Sequence, residues 1–172
     1  MKRTMMILSV ALLSATGLMA QSFNVDTEGA SVEFTWVDDG TTGTLTGVNA
    51  QLNVDYANLG SAKVTGSVNV NTMDTGIKGR DKHLMSEDYF HVDEFPTMDF
   101  TSSSLSQDGD DYKATGTLTV KGVEKEVTFI ITSVRGELHF STSIYANDFG
   151  VTHNKDKESS KVDITVKIPT TE

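Results

Sequence analysis

The sequence contains no cysteine, which excludes disulfide bonds, thiolate metal sites and a cysteine nucleophile. Only two of its 172 residues are proline, and no low-complexity run marks a linker between domains. This length suits one domain of ordinary size. A chain without disulfides depends on its apolar core for stability, so we expect a sizeable core.

Long apolar runs are also missing, except near the N-terminus. Residues 1–20 have a basic start, an apolar run over residues 5–13 and small residues ending at Ala20. This layout is typical of a secretory signal peptide, and the apolar run is short for a membrane span. We therefore predict cleavage near Ala20 and a periplasmic or otherwise extracytoplasmic domain at residues 21–172, without a transmembrane segment. A buried first helix or a retained anchor is the alternative.

Positive charge is scarce, with 14 Lys and Arg residues against 24 Asp and Glu residues. Lys2 and Arg3 leave with the signal peptide, so 12 basic residues remain against 24 acidic ones and the net charge becomes −12. Such a surface repels nucleic acid and anionic membranes, and no nucleic-acid partner is expected.

Period-two alternation of apolar and polar residues is abundant after residue 22, and it indicates strands with one buried face. Val32, Phe34 and Trp36 share such a face. Turn sequences such as DDGTTG and SQDGDD separate the alternating runs. The remaining apolar faces lie at residues 64–70, 98–100, 112–120, 127–131, 138–144 and 162–168.

About eight strands with short links favour an antiparallel meander, which must close on itself to cover its apolar side. We therefore predict an all-β fold, an extended antiparallel eight-stranded barrel. A barrel of this size is filled by side chains or holds one small ligand. An outer-membrane barrel with the alternation inverted is the alternative, although a terminal aromatic residue and aromatic girdles are absent.

The alternation breaks at residues 79–96, GRDKHLMSEDYFHVDEFP, which hold two of the four histidines and five carboxylates. Helical spacing predicts a short helical insert around residues 81–90 between two strands. A helical zinc pair needs histidines four residues apart. His83 and His91 are separated by about 12 Å along an intact helix, so no metal site is predicted.

Motifs for nucleophilic catalysis are missing, since neither GxSxG nor SxxK occurs. We predict that the protein is not an enzyme. Two alternatives stay open at this point. One is an enzyme that uses His83, Asp81 and Asp88 near the mouth of the barrel as acid–base groups. The other is a barrel with a filled core that acts as a structural or partner-binding domain.

Three stretches resemble the YceI-like family, a lipocalin-like group of proteins that bind polyisoprenoid lipids. They are GRDKHLMSEDYFHVDEFPTMDF (79–100), YKATGTLTVKGVEKEVTF (112–129) and NDFGV (147–151). Their order and spacing hold across residues 23–168. The sequence has Asn147 where the family pattern has an arginine before Asp-Phe-Gly, which leaves the preference for a lipid head group open.

The resemblance implies a lipocalin-like barrel with a long internal pocket and a helix near its mouth. The implied activity is sequestering or carrying a polyisoprenoid or similar long-chain amphiphile. No cofactor is expected, and the ligand would be an isoprenoid, a quinone or a fatty-acid-like lipid. Whether the barrel acts alone or as a homodimer stays open.

The candidate ligand-binding residues are large inward residues of the strands and apolar residues of the helical insert. Gly66, Ala114 and Gly116 are small inward residues that leave room for a ligand, unless the glycines mark a bulge or a tight coil. The candidates for the wall are Phe34, Trp36, Ile77, Leu84, Met85, Phe90, Phe95, Phe100, Gly116, Leu118, Phe129, Phe140 and Phe149.

Overall fold

The structure, a computed structural model, describes residues 21–23, 27–54, 61–151 and 156–170. Within them, ten strands form one antiparallel sheet that curls into a nearly closed barrel, which confirms the predicted all-β barrel. The strands are β1 (Gln21–Phe23), β2 (Ser31–Trp36), β3 (Thr42–Leu45), β4 (Val48–Val54), β5 (Lys63–Asn69), β6 (Thr97–Asp108), β7 (Asp111–Val120), β8 (Val123–Val134), β9 (Glu137–Tyr145) and β10 (Lys161–Pro169).

The strand order is β1-β4-β5-β6-β7-β8-β9-β10-β2-β3, so β4 to β10 form a meander. β10 then pairs with β2, where Ile164 lies opposite Phe34. β3 lies at one end of this order and β4 lies next to β1 at the other, and the two strands run in the same direction with only Thr46 and Gly47 between them. Gly47 has φ +68°, a conformation that glycine adopts without strain. One bent segment therefore links the two ends of the sheet.

The apolar face of the alternation points into the barrel. On β2, Val32 and Phe34 are buried, whereas Glu33 between them is exposed. Glu126 and Asp163 are likewise exposed on the outer face. Because burial of apolar area is the dominant favourable contribution to folding, this inward face supplies the core that the lack of disulfides requires.

A β-bulge interrupts the ladder between β6 and β7, where the register shifts between Ser102 and Ser104. The Ser102 hydroxyl accepts a hydrogen bond of 2.8 Å from the Val64 N–H, next to the last paired residues of the β5–β6 ladder. Gly116 lies opposite Ser102. A Cβ atom there would lie 2.3 Å from the Thr101 carbonyl oxygen. Gly116 is therefore required by the bulge.

The helical insert is helix α1 (Lys78–Met85), which begins and ends earlier than the predicted range of 81–90. Leu84 is its buried residue, and residues 87–90 and 92–94 form turns. The connection that carries α1 also has a 3-10 helix at Val70–Thr72, and two more 3-10 helices, Ala146–Phe149 and Glu158–Ser160, lie between β9 and β10.

Arg80 and Asp81 hold the start of α1 in place. The Arg80 guanidinium donates to the Thr75 hydroxyl and carbonyl oxygens at 2.8 Å each, and to the Thr41 hydroxyl at 3.2 Å. The Asp81 carboxylate accepts from the Thr75 N–H at 2.8 Å and from the Thr75 hydroxyl. Because Thr41 directly precedes β3, these contacts join the helix to the barrel wall.

The predicted signal peptide at residues 1–20 lies outside the described residues, as does His153. Among the residues that are described, no helix has the length and apolar character needed to span a membrane.

Candidate functional site

The barrel interior contains a cavity of about 150 Å³. All space between the atoms of this region, with open solvent included, amounts to about 1190 Å³. Strands β2 to β10 all contribute to its wall, and residues of α1 and of the β9–β10 connection complete it. The large inward side chains therefore do not fill the barrel completely.

Nine of the thirteen candidate residues lie in the wall of this cavity. Those on strands reach it because their alternation places them on the inner face. Leu84 and Phe90 come from the β5–β6 connection, and Phe149 comes from the β9–β10 connection. The nine are Phe34, Trp36, Leu84, Phe90, Phe100, Leu118, Phe129, Phe140 and Phe149.

The other four candidates lie outside the wall. Ile77, which precedes α1, has 56% of its surface exposed. Met85 packs against the core from outside the cavity. Phe95 covers Gly122, where a Cβ atom would lie 2.8 Å from the phenylalanine ring. Gly116 faces the backbone of β6 at the bulge, so its small size leaves no space for a ligand.

Several wall residues escaped the sequence analysis. Val48 and Ala50 line the cavity from β4, and their alternation with Asn49 and Gln51 was a usable signal for a strand. Met73 also lines it, although it follows a 3-10 helix and belongs to no periodic pattern. Gly66 is a wall residue as expected, whereas Ala114 is fully buried outside the cavity wall.

Two connections cover one end of the barrel. Because neighbouring strands alternate in direction, the β5–β6 and β9–β10 connections lie at the same end as the β7–β8 turn. Lys121 of this turn donates from Nζ to the Glu87 carbonyl oxygen at 3.0 Å and to the Gly150 carbonyl oxygen at 3.4 Å. One ammonium group therefore ties both connections to the barrel.

Among the described residues, the side chains that face the cavity are apolar, with one N–H group among them. The Trp36 indole Nε1 donates to the Ser159 carbonyl oxygen at 3.2 Å, so this donor is already engaged. Thr65, Ser67 and Asp99 border the cavity as well, but they alternate with the inward residues of β5 and β6. Their side chains therefore point away from the interior.

Asp81, His83 and Asp88, the residues of the enzymatic alternative, have surroundings that differ from one another. A hydrogen bond from the Thr75 hydroxyl lowers the pKa of Asp81, and the Thr75 N–H and the Arg80 charge lower it further. His83 lies edge-on to Tyr89, with ring centroids 4.7 Å apart, and Asp88 is exposed. Within the described ranges, no three His, Cys, Asp or Glu side chains cluster closely enough to hold a metal ion. Asp81 thus acts as a structural acceptor.

Asn147 also lies outside the cavity wall. Its side-chain amide donates to the Asp156 carbonyl oxygen at 3.3 Å, and its backbone N–H donates to the Ser160 hydroxyl at 3.4 Å. In this chain, the residue that replaces the arginine of the family pattern therefore links two parts of the β9–β10 connection.

Solved structures of similar fold include BcnA from Burkholderia cenocepacia, with a TM-score of 0.75 and 24% identity over 86% of this chain and 100% of that chain. A polyisoprenoid binding domain from Saccharophagus degradans, implicated in plant cell wall breakdown, gives a TM-score of 0.58 and 12% identity over 89% of this chain and 100% of that chain. At these identities the likeness shows a shared barrel fold.

The sequence comparisons are more specific. A UPF0312 protein of Enterobacter sp. strain 638 is 31% identical over 187 aligned positions, covering 97% of this chain and 95% of the relative. Protein YceI of Escherichia coli strain UMN026 is 30% identical over 189 positions, covering 98% and 97%. The model of the YceI-like domain matches residues 23–170. The chain therefore belongs to the YceI-like family.

Proposed function

We propose that the protein binds the apolar tail of a polyisoprenoid or a similar long-chain amphiphile inside the barrel, and that it sequesters or carries this ligand without chemical turnover. The observation that carries the proposal is the apolar cavity enclosed by β2 to β10. The barrel shared with a polyisoprenoid binding domain supports the same ligand class.

The size of the cavity limits how much of a tail it encloses. An engineered apolar cavity of about 150 Å³ in another protein stays dry and binds benzene, a six-carbon ring. The present cavity has a similar volume and therefore encloses roughly one five-carbon unit, so the rest of a longer tail occupies the opening or widens the barrel. Burial of one such unit gains about 4 kcal/mol before the cost of ordering the chain is subtracted.

The proposed location is extracytoplasmic, after cleavage near Ala20. The basic start, apolar run and small residues of positions 1–20 support export. The intact mass of the protein recovered from its native host tests this proposal. A mature chain that begins at or near Gln21 is expected, whereas a full-length chain in the cytoplasm would contradict it.

Direct uptake of a ligand tests the binding function. Protein stripped of lipid is incubated with a long-chain prenol or a long-chain quinone and examined by native mass spectrometry. A complex with one bound molecule is expected. If neither compound binds, the proposal fails.

Two neighbouring residues of β4 provide a matched pair of variants. Ala50 lines the cavity, whereas Gln51 is exposed on the outer face of the same strand. Ala50→Leu adds three carbons to the cavity wall and is expected to weaken prenol binding by about tenfold or more, equivalent to about 1.4 kcal/mol. Gln51→Leu is expected to leave binding unchanged. Equal binding by the two variants would place the ligand elsewhere.

A further inference from the structure

On the basis of the proposed function, we infer that this barrel selects its ligand by the tail alone. The head group stays in water, and the protein discriminates between head groups only through the long-range field of its surface charge. The inference extends the proposed function, because it defines which part of the ligand determines affinity.

The first support is the chemistry of the wall. Aromatic and aliphatic side chains from β2 to β10 face the cavity. The indole N–H of Trp36 could donate a hydrogen bond to a ligand, but it already donates one to the Ser159 carbonyl oxygen. Thr65, Ser67 and Asp99 direct their side chains outward, so they contribute backbone to the cavity.

The second support is the cost of desolvation. A hydroxyl that enters an apolar cavity loses its hydrogen bonds to water, and an ionised carboxylate or diphosphate loses far more. Strands β2 and β5 to β10 each have a paired neighbour on both sides, so most of their backbone N–H groups are used in the strand ladders. A head group therefore finds few free partners on these strands, and its most favourable position is at the opening.

The third support is the distribution of charge where α1 covers the barrel. Lys78 and Lys82 are exposed on the helix, and Glu87 and Asp88 are exposed directly after it. Asp74, Asp93 and Glu94 are exposed in the same connection, so acidic residues outnumber basic ones at the covered end. This excess has the same sign as the net charge of the whole chain, whose repulsion of an anionic head is screened over about 8 Å at physiological salt.

Ligands that share one tail separate the contributions of head and tail. We suggest measuring the affinities of farnesol and farnesyl diphosphate at about 20 mM and about 500 mM salt, which changes the screening length severalfold. The ratio of the two affinities cancels the effect of salt on the common tail. Geraniol, which has one five-carbon unit less, measures the contribution of the tail.

Farnesol is expected to bind several-fold more tightly than farnesyl diphosphate at low salt, and the ratio should fall to within about twofold at high salt because the repulsion is screened. Geraniol should bind several-fold more weakly than farnesol at both salt concentrations, because the third five-carbon unit of farnesol is buried in part at the opening or in a widened barrel. Lys82→Gln should leave the high-salt ratio unchanged.

A preference for one head that persists at high salt would overturn the inference and reveal a specific head-group site, while the proposed binding of lipid would stand. An equal affinity for geraniol and farnesol would also overturn it, because the tail would then not determine binding. If none of the three compounds binds, the proposed function itself is wrong.

Discussion

Gly116 and Ser102 face each other across the β6–β7 ladder at a distance that leaves no space for a side chain. A Cβ atom on Gly116 would lie 2.5 Å from the Ser102 Cα atom and 2.3 Å from the Thr101 carbonyl oxygen. Both contacts are with backbone, which cannot move aside as the end of a flexible side chain can. The bulge and the glycine therefore depend on each other.

Gly116→Ala is expected to lower the free energy of unfolding by about 2 kcal/mol or more, because the methyl group overlaps the backbone of β6. Gly66→Ala is the matched control, since a Cβ atom at Gly66 would meet only the Asn49 carbonyl oxygen at an ordinary 3.7 Å. Urea denaturation of both variants measures the difference. Equal midpoints would show that β6 shifts without cost.

Lys121→Met removes the ammonium group that bridges Glu87 and Gly150. We expect a loss of stability of about 1 kcal/mol and faster amide exchange in residues 84–92 and 146–151, because two carbonyl oxygens lose their donor. Hydrogen exchange followed by mass spectrometry measures this. Lys125→Met, at an exposed position of β8, is the control. Unchanged exchange at both connections would refute the bridging role.

The lowered pKa of Asp81 predicts that the folded protein loses stability in acid. Its folded-state pKa is lowered, mainly by the Thr75 hydroxyl, so its ionised form favours the folded state. This contribution is complete above the unfolded-state pKa of about 3.9 and is lost as the pH falls through the lower folded-state pKa. Asp108 acts in the same direction because Lys113 pairs with it.

Asp81→Asn should therefore flatten the decline of stability below about pH 4. Urea denaturation of this variant and of the unchanged protein at a series of acidic pH values measures the effect. An identical pH dependence for Asp81→Asn and the unchanged protein would mean that the Thr75 contact does not form in solution.

Trp36 gives an optical signal for ligand uptake, because it is the one tryptophan of the sequence and lies in the cavity wall. A long-chain prenol should shift its emission to shorter wavelength, since the ring exchanges water for hydrocarbon, and a quinone should quench it if its ring comes close. Titration at constant protein concentration measures either change. An emission spectrum that is unaffected by a ligand proven to bind would locate that ligand away from Trp36.

The alternation of apolar residues was sufficient to predict the barrel and most of the cavity wall. It identified β2 and the strands from β5 to β10, whose inner faces carry large side chains such as Phe129 and Phe140. It missed β3 because that strand has four residues, one of them glycine, and only Leu45 is buried. It also missed β4, where asparagine and glutamine alternate with small apolar residues.

Features that depend on contacts between distant segments were not predictable from local pattern. The position of α1 follows from the bonds of Arg80 and Asp81 to Thr75, while Leu84 alone of its side chains is buried and gives no periodic signal. The role of Gly116 depends on the register of β6 at its bulge. The local sequence pattern also gave no sign that Ile77 and Phe95 lie outside the cavity wall.

The place of β10 between β9 and β2 has a consequence for biosynthesis. Lys167 of β10 and Glu33 of β2 form an ion pair of 2.6 Å although 134 residues separate them in the chain. A nascent polypeptide cannot complete the barrel until β10 has been synthesised. Until then, the apolar inner faces of its strands are exposed. Completion of this barrel is therefore a late event, and we expect the unpaired strands to be prone to aggregation until β10 is available.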